Sequence, residues 1–218
     1  MRPPMQVASN VNWKLTVRVL AFLIAALSAT GANAQTTFYG ITFGQPLAVP
    51  ECQVQKIGNM SSYVISAPFL CYRQGGLAFL DVKHGASIAN SDVTLHWPST
   101  QGPSMAKAGV LRVRLVDGVV HGVSMGTHGH LNQQQVFSEL VGKFGQPVNV
   151  HSLPLQNLFG VKVEGIVARW QDGDVSVTFD GILDKIDHGR VVLETPTGAA
   201  AAKAEHDQIM NTPAKPKM

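Results

Sequence analysis

Between Ile166 and Phe179 apolar and polar residues alternate on both sides of a turn dipeptide. Ile166, Ala168 and Trp170 fall on one side of a strand, Asp172-Gly173 provides a tight turn, and Val175, Val177 and Phe179 return on the same side. Successive side chains of a strand point to opposite faces, so this stretch predicts a hairpin with one apolar and one wet face. Arg169, Ser176 and Thr178 occupy the wet face. A two-residue turn at Asp172-Gly173 would place Trp170 beside Val175, Ala168 beside Val177 and Ile166 beside Phe179. Strands of a doubly wound parallel sheet are apolar on both faces, so this pattern argues for an antiparallel sheet with one covered side.

A second hairpin and a helix precede it. Leu111, Val113 and Leu115 alternate with Arg112 and Arg114, Asp117-Gly118 suits a turn with positive backbone dihedrals, and Val119 to Val123 returns. That turn places Val116 opposite Val119 and Arg114 opposite His121. Between the hairpins, Asn132 is a good N-cap and Gln135 completes a capping-box pattern. Val136, Phe137, Leu140, Val141 and Phe144 form an apolar stripe, which Gly145 ends and Pro147 forbids from continuing. Further strands are expected at Leu77 to Val82, Val93 to Trp97 and Arg190 to Glu194. The predicted fold is α+β: a mainly antiparallel sheet with one amphipathic helix (about 133–144) packed on one face.

The first 34 residues read as a secretory signal peptide. Arg2, Lys14 and Arg18 are its only charges, Val19 to Leu27 is an uninterrupted apolar run, and Ala32-Asn33-Ala34 is a small-x-small cleavage pattern. That run is far shorter than the roughly 20 residues that cross a bilayer. The mature protein is expected to begin at Gln35, in the periplasm or outside the cell, with no transmembrane segment. The chain's formal charge of +3 comes from those three basic residues. Without them no basic footprint remains for a nucleic-acid backbone. Residues 35–195 are expected to be a single domain. Residues 196–218 carry three prolines and an alanine run and read as a tail, disordered or weakly helical. Cys52 and Cys71 are the only cysteines, and an exported chain predicts a disulfide between them.

Several residue groups bear on chemistry. Gly122-Val123-Ser124-Met125-Gly126 matches the G-x-S-x-G nucleophile elbow, with Asp180 to Asp187 and His188 following in hydrolase order. That motif needs a sharp turn at the serine and a helix starting at once, yet the helix signal begins only near Asn132. His121, His128 and His130 lie close in sequence, with His128 and His130 at the spacing of same-face strand ligands. Thr127 to His130 reads as loop, however, and no fourth ligand is indicated. Asp180, Asp184 and Asp187 lack the alternating oxygen ligands and central glycine of a calcium loop. Arg112, Arg114 and Arg169 on the wet strand faces are candidates for reading an anionic partner, or ordinary exposed arginines. No residue is assigned as catalytic, cofactor-binding or metal-ligating, and no cofactor is expected.

Tyr39-Gly40-Ile41-Thr42-Phe43-Gly44-Gln45-Pro46-Leu47, then Pro50-Glu51-Cys52, resembles the mature N-terminus of small exported bacterial proteins of unknown function. Lys143-Phe144-Gly145-Gln146-Pro147 before a Trp-bearing hairpin is similar to their second half. The resemblance implies export and an α+β fold, and brings no catalytic residues. Two functional readings follow. One is a non-catalytic binding or interaction domain whose partner is a protein or cell-envelope component. The other is a small hydrolase or metal-dependent enzyme using Ser124 or the His121, His128 and His130 group.

Overall fold

The computed structural model describes residues 35–57, 60–63, 69–74, 87–98, 102–156, 160 and 162–211 of the 218-residue chain. The chain divides into two units, Met1–Ala34 and Gln35–Met218, and all described residues belong to the second. Two short hairpins come first, β1 (Thr37–Phe38) with β2 (Ile41–Thr42) and β3 (Val54–Ile57) with β4 (Met60–Tyr63). The remaining strands are β5 (Cys71–Gln74), β6 (Ser91–His96), β7 (Val110–Val116), β8 (Val119–Thr127), β9 (Asn149–Gln156), β10 (Lys162–Asp172), β11 (Val175–Asp180) and β12 (Gly189–Glu194). They form one eight-stranded sheet in the order β5-β6-β7-β8-β12-β11-β10-β9, antiparallel throughout. Among the described residues two helices flank it, α1 (Gln133–Phe144) and α2 (Pro196–Asn211). The fold is therefore α+β, with α1 packed on the sheet. The strand expected at Leu77 to Val82 lies outside the described residues.

The apolar face of the sheet is the core. Val93, Leu95, Leu111, Val113, Leu115, Val123, Val177, Phe179, Val191 and Leu193 are all at most 2% exposed. Their alternation with polar neighbours is the period-2 signature of strands with one covered side. Val136 and Leu140 of α1 are fully buried against this face, with Phe137, Val141 and Phe144 half-buried around them. The β1-β2 hairpin closes the same layer, inserting Phe38, Ile41 and Phe43 beside α1, where the Phe38 and Phe144 rings stack 6.2 Å apart. Its tight reversal needs Tyr39 at φ 48° and Gly40 at φ 79°, the paired positive dihedrals of a type I′ turn.

Three local expectations are corrected. In the Trp170 hairpin the central turn residues are Gly173-Asp174, so Trp170 opposes Val177 and Ala168 opposes Phe179. Only Gly173 of that pair has positive φ, which fits a type II′ turn and leaves Asp172 in the strand. There the Asp172 carboxylate and carbonyl both accept from the Thr36 hydroxyl. The pairing moves by two residues, so no side chain changes face. In the first hairpin Val116 does oppose Val119, but a bulge between Arg114 and Leu115 sets Arg114 against Gly122 instead of His121. Helix α1 starts where expected without a capping box. A 3-10 turn at Gly129–Leu131 precedes it, and the Asn132 Oδ1 turns back to accept from the His128 N–H at 3.0 Å.

Gln133 does work that the sequence pattern does not show. It is 4% exposed, its Nε2 donates to the Glu164 carbonyl at 2.8 Å, and its Oε1 accepts from the Ile166 N–H at 3.0 Å. The pairing of β10 with β11 ends at Val167, so the Gln133 amide replaces a neighbouring strand for two backbone groups. Gln133→Ala is expected to destabilise the domain by about 1–3 kcal/mol, the cost of unpaired buried polar groups, measurable by urea unfolding. A change under about 0.5 kcal/mol would show that water replaces the amide without loss.

Candidate functional site

The opposite face of the sheet is polar and partly open. One row of directly opposed residues crosses all eight strands on it: Arg73, Thr94, Arg112, Ser124, Val192, Thr178, Arg169 and Asn149. Directly opposed residues in antiparallel strands share a face, with Cβ atoms about 4.5–5.5 Å apart. Helix α2 lies against β7, β8 and β12. Its first turn is fixed by Thr195, whose N–H donates to the His121 carbonyl at 3.0 Å and whose Oγ1 accepts from the Gly198 N–H at 3.2 Å. His121 Nδ1 also bonds that hydroxyl, at 2.8 Å. The helix approaches so closely that a Cβ on Gly198 would fall onto the His121 carbonyl. Glycine is required there by space alone.

The arginines of this face divide by partner. Arg114 makes a two-point contact with Asp92 (2.8 and 3.0 Å) and reaches Glu205 of α2 at 2.6 Å. Its bond to Asp92 holds the guanidinium pKa above its already high ordinary value. Arg169 and Arg190 both contact the Asp180 carboxylate, at 3.1 and 3.2 Å. Arg112 is different. Its guanidinium is exposed and, among the described residues, makes no hydrogen bond or ion pair.

Two adjoining cavities flank it, of about 400 and 530 Å³, and Arg112, Ser124 and Arg190 line both. The smaller also has Arg114, Asp92, Glu194 and Ala202 of α2 in its wall. The larger adds Thr94, Val110, Leu183, Lys107 and His188. Of the arginines singled out in the sequence, Arg112 and Arg114 meet here. Arg169 does not: it lies four strands from β7, about 19 Å at the usual strand spacing. Arg190 was missed, although its alternation with buried Val191 and Leu193 marks it as facing the polar side.

The hydrolase arrangement is not assembled. Ser124 lies within β8, followed by three more strand residues, so there is no sharp turn at the serine and no helix directly behind it. His188 lines the larger cavity with Ser124. However, the cross-strand partner of Ser124 is Val192, four residues from His188, about 13 Å along a strand. His188 instead faces Asp184 and Asp187 at 3.5 and 3.7 Å. Lys107 bonds Asp187 and holds its carboxyl below the usual range. The three histidines do not converge. His121 is bound to Thr195, His128 is exposed with its N–H on Asn132, and His130 Nδ1 lies 3.3 Å from Gln133 Nε2. Among the described residues no group of three His, Cys, Asp or Glu is placed to hold a metal ion.

His96, on β6 beyond Thr94, is 9% exposed and its Nε2 has no hydrogen-bond partner. Burial, with the nearby Arg73 charge, pushes its pKa down to about 4. A depressed histidine pKa means the unfolded chain takes up the proton first. Stability is therefore unaffected above pH 6.5 and is lost as pH falls from 6.5 toward 4. The loss expected by about pH 5 is about 2 kcal/mol. His96→Leu should remove that portion of the acid sensitivity in melting temperature measured against pH. An unchanged profile would show that His96 is not the responsible group.

Comparison of the chain with protein-family models, with curated proteins and with solved structures gives no match.

Proposed function

We propose that the protein is an exported binding module, periplasmic or secreted. In this reading residues 1–34 direct export and are removed after Ala34. The folded domain then holds a protein or envelope component through its polar sheet face without turning it over. The observation that carries the binding reading is Arg112, an exposed guanidinium with no counter-charge, set between two cavities. A directly opposed acid stabilises a strand cation, as Asp92 does for Arg114, and Arg112 has none among the described residues. Ser124, the best nucleophile on this face, is hydrogen-bonded to no base among the described residues, which supports binding over hydrolysis.

Export is supported by the charge and apolar pattern of residues 1–34, and by the resemblance to small exported bacterial proteins. The disulfide joining Cys52 and Cys71 fits an oxidising compartment. Among the described residues no helix is long and apolar enough to cross a membrane. Exported protein should start at Gln35 and weigh about 3–4 kDa less than the 23.3 kDa chain by intact mass. Retention of residues before Thr30 would overturn the address. Hydrolysis of chromogenic ester or phosphoester substrates that disappears in Ser124→Ala would replace binding with catalysis. The expected result is no turnover, with Ser124→Ala changing stability by under about 1 kcal/mol.

A further inference from the structure

The larger cavity on the polar face is chemically two-sided. Arg112, Arg190, Ser124 and Thr94 present cations and hydroxyls, while Val110 and Leu183 present apolar surface. No carboxylate is among the described residues that line it. Lys107 and His188 line it too, but both contact Asp187, and Arg190 gives one nitrogen to Asp180. Among the described cations that line it, Arg112 alone is uncompensated, and its direct cross-strand neighbours are the hydroxyl residues Ser124 and Thr94. An oxyanion on Arg112 would thus meet a guanidinium fork with hydroxyl donors on either side, a combination that favours bidentate, charge-assisted binding. Arg190 stands two strands away and two residues along, about 12 Å between backbones by strand geometry. Two extended arginine side chains span that distance onto one bound group. The volume, about 530 Å³, suits a small ligand. An acid-free cavity beside an unpaired arginine disfavours cations, and its apolar wall leaves bare inorganic anions poorly packed.

We propose that this cavity takes a small amphipathic oxyanion, with its phosphate or carboxylate head on Arg112, Ser124 and Arg190 and its apolar body against Val110 and Leu183. The assignment rests on the binding-module reading and gives it a ligand class. Calorimetric titration of the exported, disulfide-bonded protein tests it with octyl phosphate, octanoate, inorganic phosphate and octylammonium as probes. Saturable binding of octyl phosphate or octanoate is expected, and the tighter of the two identifies the head group. Inorganic phosphate should bind at least about tenfold more weakly, and octylammonium not at all, if head and body both contribute. Arg112→Glu should weaken binding by at least about tenfold. Lys162→Glu, an equal charge change on exposed β10, should leave it within about twofold. Since Arg112 holds no partner, an unchanged melting temperature is expected in the variant. Equal binding by octylammonium, or full binding by Arg112→Glu, overturns the proposal. So does equal binding of inorganic phosphate and octyl phosphate, or no saturable binding of either amphiphile up to about 1 mM. None of these results touches the binding-module reading, which falls instead on turnover that depends on Ser124.

Discussion

Trp170→Ala is expected to destabilise the domain by about 3–5 kcal/mol, the usual cost of emptying a buried aromatic site. Trp170 is 3% exposed and its ring lies 6.0 Å from that of Phe137 on α1. Its Nε1 also donates to the Gly145 carbonyl at 2.9 Å, just beyond the last residue of the helix. Alanine would therefore remove apolar contact, leave a cavity, and unpair a carbonyl at the helix end. Trp170→Phe separates these contributions, since it keeps much of the volume and loses the hydrogen bond. It should cost about 1–2 kcal/mol. Denaturant unfolding of both variants gives the answer, and a tolerated alanine would mean that α1 is not held to the sheet through this residue.

Loss of the Cys52–Cys71 bridge should cost about 2–4 kcal/mol, since it closes a 19-residue separation in the unfolded chain. Both cysteines are buried, at 1% and 0% exposure. The Cys52 N–H donates to the Tyr72 carbonyl at 2.7 Å, and the Tyr72 N–H to the Pro50 carbonyl at 2.9 Å, so Pro50–Cys52 runs along the outer edge of β5. The bridge thus also fastens a cover over one end strand, where unpaired backbone groups would otherwise invite association. Cys52→Ser is expected to fold with lowered stability, because the α1 core lies on other strands. Complete unfolding at room temperature would show that this edge organises the whole domain. Labelling of both thiols by alkylation of denatured, unreduced protein would show that no bridge forms.

Local pattern revealed what local physics decides. Alternation placed Leu111, Val113, Leu115, Val175, Val177 and Phe179 on one face, and the stripe of α1 matched the buried Val136 and Leu140. The exact turn at Gly173-Asp174 escaped because it shifts pairing without disturbing that alternation, and the bulge because it falls on β8, where His121 is the extra residue between buried Val120 and Val123, while β7 alternates unbroken. Sequence pattern also missed that β12 separates the two hairpins. Its neighbours β8 and β11 are chosen by tertiary pairing, which no window of adjacent residues encodes. The candidate site was half visible for the same reason. Arg112 and Arg114 share a strand and were found together, while Arg190 joins them only through β12. Helix α2, with Gly198 against His121, depends on space that only the assembled sheet defines.

The central position of β12 governs the order in which this domain becomes whole. A chain lacking residues beyond 188 has β7 and β8 on one side and β9 to β11 on the other, with two raw edges where Met125 and Phe179 should be bridged by Val191. Each half can form early through its own short turns, but neither can shield the other, since the keystone follows both of them in the sequence. The sheet therefore cannot close until residues 189–194 have been made. Before that moment the chain has two half-sheets with open strand edges, the surfaces through which incomplete sheets misassemble.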